Sequence, residues 1–152
     1  MSKPSERLKA LDIALPTPPA VAGSYAPVVQ SGSTLYISGN LPVKNGILIH
    51  PGTVGDTVDI GAANEAARLC AINILAHAAG YLGSVDKIKR IIKVTGFVAS
   101  AFGFSDQPKV VDGASDFFVA VFGDDGRHAR SAVGVSALPR GACVEVEAVI
   151  EI

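Results

Sequence analysis

Ala129-Arg130-Ser131-Ala132-Val133-Gly134-Val135-Ser136-Ala137-Leu138-Pro139-Arg140-Gly141-Ala142-Cys143-Val144-Glu145-Val146-Glu147-Ala148-Val149-Ile150-Glu151-Ile152 closes the chain and decides the fold. Side chains alternate between the faces of a strand, so this stretch reads as two strands, Ala129 to Ala137 and Ala142 to Ile152. Leu138-Pro139-Arg140-Gly141 joins them. On the second strand Val144, Val146, Ala148, Ile150 and Ile152 share one face, and Cys143, Glu145, Glu147, Val149 and Glu151 share the other. A four-residue connection predicts a hairpin with Val135 opposite Val144 and Gly134 opposite Glu145. Val133 and Val135 then join the apolar row, while Arg130, Ala132 and Gly134 join Glu145 and Glu147. Very small residues beside charges admit two readings: a solvated sheet face, or a face closely approached by a ligand or another backbone. In this register Arg130 falls near Val149, roughly 13 Å along the strand from Glu145 at ~3.3 Å per residue. A ligand lying between the two side chains, or a neighbouring subunit, is needed to complete a site.

Upstream of this pair, Pro108 to Phe122 reads as a helix with proline in its first turn. Ile88 to Ala99 alternates as a strand. Ala62 to Ala79 is the strongest helix, rich in Ala, Leu and Ile, with Gly80 as its expected stop. Its polar stripe, Asn64, Glu65 and Arg68, is so narrow that most of the helix must be covered. Val28 to Gln30 and Thr34 to Ser38 flank a turn at Ser31-Gly32-Ser33, and Asn45-Gly46 marks a turn before a short strand at Ile47 to Ile49. Residues 1–23 form an N-terminal extension, with a short helix near Glu6 to Leu11 and an extended proline-containing path after it. Residues 24–152 form a single domain. The order strands, helix, strand, helix, strands predicts an α+β layer, two helices packed on one face of a mixed sheet.

Composition narrows the function. The 152 residues carry a net charge of −1 and lack a basic stripe, which argues against nucleic acid and anionic membrane as partners. No run approaches the ~18 apolar residues of a spanning helix. Charges scattered through residues 1–20 argue against a signal peptide, and two cysteines, Cys70 and Cys143, make no disulfide framework. A reducing, cytoplasmic setting is expected. Hydrophobic residues make up 49% of the chain and charged ones 18%, which suggests apolar surface covered by partner subunits. His50, His77 and His128 stand far apart without ligand spacing, so no metal is predicted; His77 reads as structural, and His50 and His128, in or beside loops, read as solvated, with contact to a cleft left open for either. Cys70 reads as a core residue, and Cys143 as lying on the charged face. With no phosphate-binding loop, no cofactor is predicted.

The motif Ala129-Arg130-Ser131-Ala132-Val133, followed by Leu138-Pro139-Arg140-Gly141-Ala142-Cys143-Val144-Glu145-Val146-Glu147-Ala148, resembles the closing signature of the RidA/YjgF/YER057c/UK114 family. Leu35-Tyr36-Ile37-Ser38-Gly39-Asn40-Leu41-Pro42, the strand from Ile88 to Val98 and Asp116-Phe117-Phe118 agree in order and spacing. The resemblance covers about Tyr25 to Ile152. It implies a chorismate-mutase-like fold and a homotrimer whose sheets line the centre, with clefts between subunits. It implies hydrolysis of reactive 2-imino or enamine acids to 2-oxo acids and ammonia. Arg130 matches the residue that grips the substrate carboxylate, and Glu145 the one that positions the attacking water. Tyr25, Ser38, Gly39 and the backbone of Ala132 match the substrate-binding positions. Three departures mark a divergent subgroup: Ala132 where many members carry cysteine, Asp112 where asparagine is common, and a longer segment from Ile47 to Asp59. They keep a second reading open, a trimer that binds small carboxylates and signals without turnover. An endoribonuclease label borne by some members fits the charge poorly.

Overall fold

The computed structural model describes residues 2–152. Its elements in chain order are α1 (Pro4–Ala10), β1 (Val28–Ser31), β2 (Thr34–Asn40), β3 (Val43–Lys44), β4 (Ile47–Leu48), α2 (Ile60–Leu82), β5 (Arg90–Ala99), α3 (Gln107–Phe122), β6 (Ala129–Val135) and β7 (Val144–Glu151). β3 and β4 form a small ribbon around Asn45-Gly46. The other strands form one sheet in the order β1-β2-β7-β5-β6, with β5 and β6 parallel and the remaining pairs antiparallel. This is the mixed sheet with helices on one face that the pattern predicts, with α1 as a third helix.

The helices begin and end for local reasons. Asp59 caps α2 by accepting the Ala62 amide at 2.8 Å, and Gly83 closes it in the left-handed conformation at φ 83. The helix therefore runs through Gly80, the expected stop. At Gly80 a Cβ would make only ordinary contact with Pro18 of the N-terminal segment, at 3.5 Å. Alanines dominate the buried face of α2, so the helix sits close to its neighbours. Its crossing with α3 is closest at Gly113, where a Cβ would overlap the Asn64 carbonyl oxygen. Leu8 of α1 is buried, and Ser5 clasps Asp86 through its amide at 2.9 Å and its hydroxyl at 2.7 Å.

The closing hairpin is not there. β6 and β7 run in opposite directions, as expected, but β5 lies between them and pairs with both. The reason is the helix between β5 and β6. A strand, a crossover helix and a returning strand place the two strands side by side and parallel. The chain leaving β6 turns at Pro139–Gly141, with Arg140 at φ 61, and passes the end of β5, where the Ala99 amide meets the Cys143 carbonyl at 2.9 Å. It enters the sheet on the far side of β5 as β7.

This insertion reassigns the faces of β6. Arg130, Ala132 and Gly134 stand in register with Val94, Gly96 and Val98, positions on the helix-covered side of the sheet. Val133 stands in register with Phe97 on the open face and is 43% exposed. Glu145 and Glu147 pair with Phe97 and Thr95, also on the open face. That face is not merely small and charged, since Val29, Tyr36 and Val133 are exposed there as well. Cys143, expected on it, is fully buried.

Gly113→Ala forces α2 and α3 apart against a backbone atom, not a flexible side chain. A loss of about 2 kcal/mol or more is expected from such overpacking, read as a lower urea midpoint at unchanged slope. A midpoint equal to the wild type contradicts the tight crossing.

Candidate functional site

Arg130 lies on the edge strand β6 beneath α3, which supplies acceptors from two residues one turn apart. Its Nη1 donates to Asp112 Oδ1 at 2.7 Å and to Ser115 Oγ at 3.1 Å. The side chain is 23% exposed. Its Nε and Nη2 make no hydrogen bond among the described residues. These two nitrogens form the edge of a guanidinium that receives a carboxylate bidentately. Its ion-pair partner is Asp112.

Glu145 is half-buried on the opposite face of the sheet. Burial, and then the neighbouring Glu147 carboxylate, hold its carboxyl above the usual carboxylate range. Gly39 explains where that carboxyl sits, because a Cβ there would stand 2.9 Å from both Cδ and Oε1 of Glu145. Ser38 and Gly39 occupy the irregular step in the β2–β7 pairing between Ile37 and Asn40, a place where side chains are re-aimed. The Ser38 hydroxyl donates to the Ala26 carbonyl at 2.7 Å and so ties the Tyr25 segment to β2. Tyr25 is 53% exposed, and with Ser38 and Gly39 it lines a cleft of about 840 Å³ that continues to Asn73, His77 and Arg140.

The structure thus brings Tyr25, Ser38 and Gly39 into one cleft, with Glu145 beside Gly39 but not in the lining of that cleft. It does not bring Arg130 and Ala132 to them. β5 separates Arg130 from Glu145, the two point to opposite faces, and their partners Val94 and Phe97 are three residues apart on β5. One small ligand cannot touch both side chains of a single chain.

Three residues around Arg130 escaped the sequence reading in this role: Asp112, Ser115 and His128. His128, expected to be solvated, is half-buried, with Nε2 2.9 Å from Ser115 Oγ and Nδ1 2.6 Å from the Gly126 carbonyl. Burial lowers its pKa, the Gly126 hydrogen bond opposes this, and the Arg130 charge lowers it further. The available signal was the strand–helix–strand order, which places α3 over β6 and so Asp112 and Ser115 over Arg130. The cysteines are inert by comparison: burial raises both thiol pKa values, that of Cys143 to about 11.

The chain matches the model of the YjgF/chorismate-mutase-like family, whose description also carries an endoribonuclease label, over residues 5–151. It is 41% identical over 146 residues to Protein TCP17 of Trypanosoma cruzi, covering 95% of this chain and 91% of the relative. It is 30% identical over 142 residues to a 2-iminobutanoate/2-iminopropanoate deaminase of Dermatophagoides farinae, covering 92% and 94%. A crystal structure of a protein of unknown function from Agrobacterium tumefaciens superposes with a TM-score of 0.89 at 45% identity, covering 98% of this chain and 91% of that one.

Because Glu145 holds its proton more tightly folded than unfolded, it contributes stability at low pH that is lost as pH rises through its folded-state value. Glu145→Gln should therefore raise the urea midpoint at pH 7.5 and leave it unchanged near pH 3, below the ordinary glutamate value of about 4.3. Equal midpoints for the two proteins at both pH values contradict a raised carboxyl.

Proposed function

This chain belongs to the YjgF/chorismate-mutase-like family, and from that premise we propose that it hydrolyses 2-imino and enamine acids in clefts built by two copies of the chain. The observation that carries the reading is the guanidinium of Arg130, pinned through Nη1 with its Nε–Nη2 edge unspent. A substrate carboxylate docks on that edge, which fixes the C=N carbon at a set distance from the anchor. Glu145 of a neighbouring copy holds the water. Its raised proton affinity suits a general base, because it takes the proton as the oxygen–carbon bond forms and the C=N electron pair moves to nitrogen. Returning that proton to nitrogen gives the amino alcohol. The new hydroxyl then passes its own proton through Glu145 to nitrogen as the C–N bond breaks. Ammonia leaves with the electron pair and the C=O of the 2-oxo acid forms, so one water is consumed for each ammonia released. The mite relative that carries the name of such a deaminase supports this chemistry.

The opposed faces of Arg130 and Glu145 support the two-copy cleft, since one chain does not bring them to the same ligand. A homotrimer with the open face turned inward covers Val29, Tyr36 and Val133 and sets the β6 edge of one copy beside the Gly39–Glu145 corner of the next. Asp112 keeps the second reading in play, since a carboxylate already beside Arg130 competes with the ligand. In that reading the trimer binds small carboxylates without turnover.

Ammonia release from freshly generated 2-iminobutanoate decides between them. The wild type should exceed the spontaneous rate, and Arg130→Ala should lose about 100-fold, as expected for a charge-assisted bidentate contact. Binding of a 2-oxo acid with no rate above background overturns the enzymatic reading. Arg130→Ala and Glu145→Gln, each inactive alone, should recover about one quarter of wild-type activity when randomly co-assembled in a trimer. No recovery overturns the shared cleft.

A further inference from the structure

Arg130 does not reach its acceptors in isolation; behind it stands a row of hydrogen bonds whose direction can be worked out from one end. The Gly126 carbonyl can only accept, so the His128 Nδ1, 2.6 Å away, must carry the ring proton. Burial keeps the ring neutral, which leaves Nε2 bare. Ser115 Oγ at 2.9 Å must then turn its hydrogen toward Nε2. With its hydrogen committed, the Ser115 oxygen presents lone pairs to the Nη1 hydrogen of Arg130 at 3.1 Å. The other Nη1 hydrogen goes to Asp112 Oδ1 at 2.7 Å. Both hydrogens of Nη1 are spent, so the guanidinium plane is set by two fixed acceptors.

The far end of the row is equally constrained. Gly126 presses against α3 so closely that a Cβ would overlap the Phe118 carbonyl oxygen. The His128 ring stands edge-on to Phe118, with centroids 5.8 Å apart at 87°. The carbonyl that starts the row and the ring that transmits it are therefore both held against the helix that carries Ser115 and Asp112.

We infer that Ser115 and His128 are positioning residues, which aim the Nε–Nη2 edge of Arg130 through the row Arg130 to Ser115 to His128 to the Gly126 carbonyl, while Asp112, the second acceptor on Nη1, adds the charge that competes with an incoming anion. This rests on the reading of Arg130 as the carboxylate anchor. The two jobs separate by salt. Asp112 is half-exposed, so its Coulomb competition with an incoming anion is screened, whereas the row is a set of partly buried short-range contacts. The arrangement accounts for why this chain tolerates an acid beside its own anion anchor. Asp112 occupies only Nη1, and the receiving edge stays open.

The test uses the full-length assembled protein and two readouts. The first is nitrogen-15 NMR of the Arg130 guanidinium, which requires no ligand. In the wild type its N–H signals should be split and slow to average; in Ser115→Ala and His128→Phe they should collapse, and Ser115→Thr, which keeps the hydroxyl, should restore the splitting. The second is calorimetric binding of pyruvate. Ser115→Ala should bind about tenfold more weakly at both low and high salt, the size of one hydrogen bond lost. Asp112→Asn should bind several-fold more tightly at low salt, and the gain should shrink at high salt. In turnover the Ser115→Ala defect should fall on KM and leave kcat nearly unchanged. Unchanged guanidinium signals in Ser115→Ala overturn the inference, whatever the binding. Collapsed signals with unchanged pyruvate affinity confirm the row and overturn the reading of Arg130 as carboxylate anchor.

Discussion

A single strand paired differently on its two sides organises this molecule. β5 hydrogen-bonds to β7 antiparallel and to β6 parallel. The parallel side exists because α3 carries the chain back over the sheet, and such a crossover needs close contact between helix and strand. Gly96 provides it, since a Cβ there would overlap the Val111 side chain. The antiparallel side completes the core, with Val144, Val146, Ala148 and Ile150 all buried beneath the helices. No helix among the described residues is long and apolar enough to cross a membrane, and the apolar content goes into this one layer and the face opposite it.

From that arrangement comes the division of charge. The edge position of β6 leaves Arg130 beyond full cover by α3 yet within reach of Asp112 and Ser115. Position on β7 sends Glu145 to the other side, where a glycine in the irregular step of β2 makes room for its carboxyl. Cation and acid are thereby kept apart in each chain, which prevents them from neutralising one another. In the proposed assembly they meet only across a boundary between copies, and catalytic competence becomes a property of the oligomer. The same separation leaves the raised proton affinity of Glu145 in the hands of burial and Glu147, not of Arg130.

Much of the fold was legible from periodicity. α2, α3, β5 and the two closing strands lie where apolar spacing and Pro108 place them, to within a few residues at their ends. Gly80 misled because a glycine inside a helical run does not by itself end it; the stop is Gly83, which takes the left-handed conformation. Of the candidate site, Arg130 and Glu145 stand out within a resembling motif, and Gly39 gains a physical role beside Glu145. His128 was misjudged because its burial depends on Phe118 and Gly126, which no local pattern couples to it.

The amino-acid order by itself determined which residues are strand, which are helix, and which side chains within one strand share a face. It did so because those properties depend on neighbours two to four positions away. Only the tertiary structure decided that β5 lies between β6 and β7, and hence that Arg130 and Glu145 point in opposite directions. Alternation fixes the relative phase of side chains along one strand but carries no information about which strand lies beside it. That choice was made by the crossover through α3, a contact between segments far apart in the chain.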